Sequence, residues 1–291
     1  MQGRIIRGVG GFYYLDNGKA VYECRARGVF RKNGEKPLVG DLAEFSVIDE
    51  AEKTGNVDRI LERRNQIVRP ALANVDRIFL CFSASVPAPN YDMLNRYLAL
   101  SMLDEISLSL VVTKSELVSE EERQEISDAF RAAPFPLLFV SVFAGTGLDA
   151  LREAMRGQVN ALAGPSGAGK STLLNALKSE EVMAVGDLSR KIARGKNTTR
   201  HSELFRISED SWLFDTPGFT AVDIEGLTDV PPEQMFPEFE PYLQDCRFHG
   251  CRHLKEPGCA IRAAVKAGEL SKVRYRSYVR ITEALADIRR Y

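Results

Sequence analysis

The chain is short of the residues that would place it in several common classes. It has five cysteines in 291 residues. Three of them crowd near the C-terminus beside histidines, which is too few and too uneven for the disulfide framework of a secreted domain. No apolar run approaches the ~18 residues that a membrane-spanning helix needs. The opening MQGRIIRGVGGFYYLD alternates polar and apolar residues where a signal peptide would build a hydrophobic segment. The expected location is therefore the cytoplasm, with no membrane attachment. Net charge is nearly missing too, at −1, so the chain as a whole is neither a polycation nor a polyanion.

What is there has the balance of an ordinary globular protein, 44% hydrophobic and 27% charged. Single cores stop growing at roughly 250 to 300 residues, so two or three units are expected at this length. The charge is unevenly spread: residues 1 to 37 carry eight Lys or Arg against three Asp or Glu, a surplus of five. RIIRGV, GFYYLD, AVYECRARGVF, LAEFSVID and NVDRILERR read as five short strands, with turn signals at Asp16-Asn17-Gly18, Lys32-Asn33-Gly34 and Thr54-Gly55-Asn56. Five short strands with a basic, aromatic-rich face suggest an OB-fold β-barrel that binds RNA. A plain packing barrel with its aromatics in the core is the alternative.

Beyond residue 69 strands alternate with helices, the pattern of a parallel sheet with crossover helices. VDRIFLCFSAS (75–85), ISLSLVVT (106–113), PLLFVSV and QVNALAG read as strands. YDMLNRYLALSMLDE (91–105), SEEERQEISDAFRAA (119–133, with a serine cap), GLDALREAM and KSTLLNAL read as helices.

The last strand and helix of that series flank GPSGAGKST, comprising Gly164, Pro165, Ser166, Gly167, Ala168, Gly169, Lys170, Ser171 and Thr172. This satisfies the phosphate-loop pattern in its strand-to-helix context. Glycines let backbone N–H groups turn inward on phosphates, Lys170 reaches the β and γ phosphates, and the Ser171 hydroxyl is offered to Mg²⁺. Downstream, SWLFDTPGF puts Asp215 at the end of an apolar strand as a second group for the magnesium shell, with Gly218 placed to meet the γ phosphate. The intervening basic, polar stretch carries Thr198 and Thr199. It reads both as a surface loop and as a segment whose threonine senses the γ phosphate. Phe219 follows where many GTPases place a water-orienting glutamine, and a phenyl ring cannot direct a lone pair, so slow intrinsic hydrolysis is expected.

A base reader lies upstream. Thr113, Lys114, Ser115 and Glu116 end one strand, where a carboxylate can accept both N–H groups of a guanine edge while the lysine stem covers the ring. Ser141 and Val142 end the next strand, where a backbone N–H can meet the base carbonyl. The elements thus run base reader, base loop, phosphate loop, switch threonine, DTPG, which is the usual GTPase order cut open and rejoined. Domain termini often lie close together, so such a circular permutation is physically plausible.

Near the C-terminus, Cys246-x4-Cys251-x-His253-x5-Cys259 offers three thiolates and one imidazole within one short segment. That donor set fits a closed, structural tetrahedral zinc site, with His249 as the alternative imidazole. Cys24 and Cys81 stand in strand runs and read as buried thiols.

On these motifs, together with PLVGDLAEF, ILERRNQIVRP, GKNTTRH, EPGCAI and SKVRYRSYVRI, the chain resembles the ribosome small-subunit-dependent GTPase A family over nearly its whole length. The resemblance implies three domains: an OB-fold over 1–68, a circularly permuted α/β P-loop GTPase domain over 69–225, and a helical zinc-binding domain with a C-terminal helix over 226–291. It also implies GTP hydrolysis with Mg²⁺ to GDP and phosphate, one structural Zn²⁺, and stimulation by the small ribosomal subunit and its rRNA during late subunit maturation. The chain is expected to act as a monomer. Relatives commonly carry Asp where Glu116 stands, alanine where Val142 stands, and histidine where Asn197 stands. Two rivals remain: an ATP-using P-loop enzyme, although no LSGGQ-like signature is present, and a nucleotide-insensitive RNA-binding scaffold using the barrel and the basic KVRYRSYVR helix.

Overall fold

Alternation of apolar and polar residues shapes the N-terminal strands. The computed structural model describes residues 1–28, 30, 36–68, 70–102, 106–178, 202–215 and 228–288. The chain divides into one unit of Met1–Phe79, Leu148–Pro165 and Lys170–Phe219, and a second of Leu80–Gly147, Ser166–Gly169 and Thr220–Tyr291.

In the first unit, β1 (Gln2–Val9), β2 (Phe12–Asp16), β3 (Val21–Ala26), β4 (Leu42–Asp49) and β5 (Thr54–Ile60) form the barrel. β1 pairs antiparallel with β2 and β2 with β3. β3 then runs parallel to β5, β5 antiparallel to β4, and β4 returns antiparallel to β1. The circle closes and leaves no barrel edge inside it. Inward-facing Ile5, Leu15, Tyr22, Cys24, Phe45 and Val57 fill the barrel. Each fully buried large side chain contributes about 1.5–3 kcal/mol.

The strand expected to continue to Phe30 ends at Ala26. The Phe30 N–H turns back onto the Arg27 carbonyl at 3.2 Å and its ring joins the core. A turn thus does what an extended strand could not, bringing one more aromatic inside. Two short strands follow, β6 (Gln66–Ile67) and β7 (Leu72–Ala73). They are anchored by Arg63, which grips the fully buried Asp41 in a two-pronged ion pair of 2.7 and 2.8 Å. Gly40 has φ +100°, and a Cβ there would sit 2.0 Å from the Ala73 carbonyl oxygen, so only glycine fits this crossing.

The same unit holds β11 (Val159–Ala163), β12 (Glu203–Arg206) and β13 (Trp212–Asp215). It also holds α3 (Leu148–Met155) and α4 (Lys170–Leu177). β11 is buried along its length, as a strand covered on both faces must be. β13 lies parallel to β11 on one side and antiparallel to β12 on the other. β12 in turn pairs with barrel strand β1 at Arg7 and Glu203.

The second unit contains the Leu80–Ser83 part of β8 (Arg77–Ser83), α1 (Tyr91–Ser101), β9 (Ser107–Thr113), α2 (Glu120–Ala129) and β10 (Leu137–Val140). β9 lies between β8 and β10, parallel to β10. The cap expected at Ser119 forms a complete capping box with Glu122, which fixes where α2 starts. α1 ends at Ser101, earlier than the helical spacing suggested.

α5 (Glu240–Leu243), α6 (Ala260–Ala267) and α7 (Lys272–Ile288) complete this unit around Phe236, Phe239, Ile261, Tyr278 and Ile281. α7 is more than a basic surface. Arg274 is fully buried, with Nε and Nη2 on the two Glu238 oxygens at 2.6 and 2.9 Å and Nη1 on Asn95 Oδ1 at 3.0 Å. Asn95 donates onward to Ser277 at 2.9 Å, which ties α7 to α1.

Candidate nucleotide site and metal centre

The phosphate loop starts where β11 ends. Gly167 and Gly169 take φ values of +78° and +80°, the left-handed conformation that side chains rarely adopt and that turns successive N–H groups inward. Lys170 opens α4 and folds its ammonium onto the loop, donating to the Gly164 and Pro165 carbonyls at 2.7 Å each. Ser171 and Thr172 follow in the first turn, exposed, with Leu173 and Leu174 buried behind them.

Asp215 ends β13. Because β13 runs parallel to β11, with Ala161 opposite Phe214, Asp215 comes out at the same carboxyl edge from which the phosphate loop springs. Ligands of open α/β sheets bind at that edge. A hydroxyl and a carboxylate are the oxygen donors that a hard cation such as Mg²⁺ takes, so Ser171 and Asp215 suit it chemically.

The two segments expected from the sequence to read a base stand at the ends of the neighbouring strands β9 and β10. The Thr113 hydroxyl ends β9 and donates to the Ala168 carbonyl at 2.7 Å, which ties this strand end to the phosphate loop. Lys114 has φ +55°, a left-handed backbone, and its ammonium donates to the Val86 carbonyl. The turn this makes carries Ser115–Leu117 into a single 3-10 turn, with Ser115 buried and Glu116 exposed. Arg123 of α2 holds the Ser115 carbonyl at 2.9 Å from behind.

At the end of β10, the fully buried Ser141 accepts the Ala144 N–H on its hydroxyl at 2.9 Å and gives its own N–H to the Thr146 carbonyl at 2.9 Å. The loop through Val142 is thus folded on itself, and Phe143 at its tip is 93% exposed. The residues read from the sequence as switch and γ-phosphate groups, Asn197, Thr198, Thr199, Gly218 and Phe219, lie outside the described residues.

The cysteine and histidine side chains converge. One donor atom from each of Cys246, Cys251, His253 and Cys259 lies within 4.8 Å of the others. His253 Nδ1 stands 3.5 Å from the Cys246 sulfur and 3.4 Å from the Cys259 sulfur. A tetrahedron with Zn–S bonds of about 2.3 Å places its sulfurs about 3.8 Å apart, so the cluster needs only a small contraction to fit zinc. His253 is buried whereas His249 is exposed, so the cluster takes the histidine nearer Cys259.

The knuckle around the cluster is built by backbone bonds. The Glu256 carboxylate accepts the N–H groups of Arg252, Leu254 and Lys255 at 3.2, 2.9 and 3.0 Å. Tyr275 and Tyr278 of α7 donate to the His253 and Arg252 carbonyls at 2.8 and 2.9 Å. Burial pushes the Cys251 thiol up to about 12 and the His253 imidazolium down. Zinc binding here must therefore drive off thiol protons, while the imidazole already favours its neutral, ligating form.

A family model described as RsgA GTPase matches residues 60–225, and one described as RsgA N-terminal domain matches residues 2–55. The chain belongs to the RsgA GTPase family. Among relatives it is similar to the small ribosomal subunit biogenesis GTPase of Alkaliphilus metalliredigens, 40% identical over 100% of this chain and 99% of the relative. It is also similar to that of Clostridium beijerinckii, 42% identical over 99% of this chain and 98% of the relative. Its fold matches the crystal structure of YjeQ from Thermotoga maritima, with a TM-score of 0.77 and 27% identity over 98% of both chains. It also matches the crystal structure of YloQ, a circularly permuted GTPase, with a TM-score of 0.75 and 32% identity over 98% of this chain and 95% of the other. The three-part architecture expected from the sequence is that of this family: a five-stranded barrel, a permuted GTPase and a Cys3His cluster.

Proposed function

We propose that this chain binds GTP with Mg²⁺ and hydrolyses it to GDP and phosphate on the small ribosomal subunit, as a step in that subunit's biogenesis. The observation that carries the reading is the phosphate loop rising from β11 at the carboxyl edge where Asp215 ends the parallel neighbour β13; the bond from Thr113, at the end of β9, to Ala168 supports it separately. The domain division is 1–68 for the RNA-binding barrel, 69–225 for the GTPase and 226–291 for the zinc-binding part. One zinc, held by Cys246, Cys251, His253 and Cys259, is structural, because all four positions are protein ligands and none is left for substrate. The chain acts as a cytoplasmic monomer.

In this reading the backbone N–H groups of residues 164–169 and the Lys170 ammonium hold the phosphates, and Lys170 exchanges its two carbonyl partners for phosphate oxygens. Ser171 and Asp215 hold Mg²⁺, which neutralises charge on the phosphate oxygens when bound. The Glu116 carboxylate accepts the two N–H groups of guanine, the Lys114 stem covers the ring, and the Val142 N–H meets the base carbonyl. Water attacks the γ phosphorus in line as the bond to the β-phosphate oxygen breaks. Thr198 or Thr199 senses the γ phosphate and Gly218 meets it. Phe219 offers nothing to orient the water, so the isolated chain turns over slowly until rRNA, docked on the barrel, supplies the group that orients it.

The test is GTP turnover with and without purified small subunits, with large subunits as the control. Small subunits alone should accelerate it, and the acceleration should fall as salt rises. Lys170→Ala should cut the stimulated rate by about a thousandfold, on the order of 4 kcal/mol of transition-state stabilisation. Fast basal turnover that small subunits leave unchanged contradicts the proposal.

A further inference from the structure

Two carboxylates face each other where one was expected. On the antiparallel pair β12–β13, Glu203 lies directly opposite Asp215, and on the other side of β12 barrel residue Arg7 lies directly opposite Glu203. Directly opposed residues bring their Cβ atoms to about 4.5–5.5 Å, and like charges in that position repel. The pair therefore needs positive charge, and the fold supplies some. Leu204 points into the core while Phe205 shares the face of Glu203. The ammonium of Lys178, one residue beyond α4, lies 3.2 Å from the centre of the Phe205 ring. Burial pushes the Glu203 carboxyl up, Arg7 and Lys178 pull it back, and Asp215 pushes it further. Arg7, Lys178 and Asp215 therefore all act on Glu203, and two cations balance two anions. Arg7 also lies over the Tyr14 ring of β2, with its Cζ 5.6 Å from the centroid, which keeps its guanidinium on the barrel side of the row.

We propose that Glu203 is a positioning residue for the magnesium position at Asp215, a second carboxylate that strengthens the site's hold on Mg²⁺ and whose charge is attenuated by Arg7 of the barrel. The inference rests on reading Asp215 as the magnesium carboxylate. Its consequence is directional. Neutralising Glu203 removes attraction for the metal, whereas neutralising Arg7 unmasks Glu203 and adds attraction. A role confined to packing would move both variants the same way, toward loss.

The experiment measures GDP affinity of the full-length chain as a function of Mg²⁺ concentration and again in EDTA, for the wild type, Glu203→Gln, Arg7→Gln, the double variant and Asp215→Asn. Glu203→Gln should raise the half-saturating Mg²⁺ concentration about fivefold and Arg7→Gln should lower it about two- to threefold, the size expected of single charges acting through a partly buried, screened environment. Arg7→Gln should have no effect once Glu203 is already Gln, and GDP affinity in EDTA should be the same in the wild type and these three variants. Glu203→Asp, which keeps the charge, should restore most of the metal affinity. If Glu203→Gln and Arg7→Gln shift Mg²⁺ in the same direction, or neither shifts it while Asp215→Asn does, Glu203 has no such role. If Asp215→Asn leaves the Mg²⁺ dependence untouched, the premise fails and the inference with it.

Discussion

The two sites of this protein are assembled on opposite plans. The metal cluster draws all four donors from the short run Cys246 to His253 to Cys259. Its supports are also local: Glu256 on three N–H groups and two tyrosines of α7 on the adjacent carbonyls. The residues proposed for the nucleotide site are spread in sequence from Thr113 to Asp215, and Asp215 is brought level with the end of β11 by the parallel pairing of β11 with β13. A local site is specified by spacing and can fail alone. A dispersed site is specified by topology, and it survives as long as the sheet does.

The sharpest way to break that comparison is to remove one metal ligand. Cys251→Ser should take zinc from one per chain to none, since structural sites of this kind contribute on the order of 10 kcal/mol or more of apparent binding energy. Metal analysis on protein purified without chelator checks the stoichiometry, and GDP titration checks the other half of the claim. GDP affinity should stay within about twofold of the wild type, because the four cluster ligands all lie between Cys246 and Cys259, apart in sequence from the residues proposed to hold the nucleotide. A loss of nucleotide binding comparable to the loss of zinc would show that the two sites do not fail independently.

A smaller effect is expected from the buried Arg274–Glu238 ion pair, which fastens α7 to the 3-10 turn at Pro237–Phe239. Truncating one partner of a buried pair leaves the other charged and unsolvated, at a cost of about 3–5 kcal/mol. Arg274→Met should therefore lower thermal stability strongly, since Glu238 would lose both of its guanidinium bonds and Asn95 one. Replacing both, Arg274→Met with Glu238→Leu, should recover a large part of the loss. Equal destabilisation by the single and double variants would mean that packing of the arginine stem, not its charge, is what matters. The zinc content of Arg274→Met should stay at one, since all four ligands and the Glu256 carboxylate that gathers the N–H groups lie within the knuckle itself.

How far the sequence was readable follows the same division. The phosphate loop, the serine cap of α2 and the cluster spacing are short-range patterns, and the structure has each of them in the expected element. The choice of His253 over His249 was open in the sequence because both are within chain reach of the cysteines. It is decided by which ring is carried inward by the left-handed turn at His253, φ +57°. Long-range pairings were not legible. Nothing local announces that ELFR would pair with barrel strand β1 on one side and with β13 on the other. KVRYRSYVR read as a basic surface, yet Arg274 and Tyr278 are buried while Arg276 and Arg280 are exposed. Charge predicts exposure only when no buried carboxylate waits across the interface, and Glu238 lies 36 residues away in sequence.

The smallest expected effect, and the finest test of the dispersed site, is at the base reader. Glu116 sits exposed in the single 3-10 turn after β9, so removing its side chain uncovers no core and should leave the fold intact. Its proposed work is to accept two N–H donors of guanine, and charged hydrogen bonds of this kind contribute about 1.5–3 kcal/mol each when the alternative is an unpaired polar group. Solvent reaches this turn and water replaces part of what is lost, so Glu116→Ala should weaken GDP by about ten- to a hundredfold, or roughly 1.4–2.8 kcal/mol. Adenine presents an acceptor nitrogen where guanine presents a donor, so the carboxylate repels it and ADP should bind the wild type poorly. The same substitution should leave ADP unchanged or slightly tighter. Pyrophosphate, which meets only the phosphate loop, should bind both proteins equally. Calorimetric titration with the three ligands separates the outcomes. A parallel loss for GDP, ADP and pyrophosphate would place the effect of Glu116 in the loop tied to Thr113 through Ala168 and not at the base.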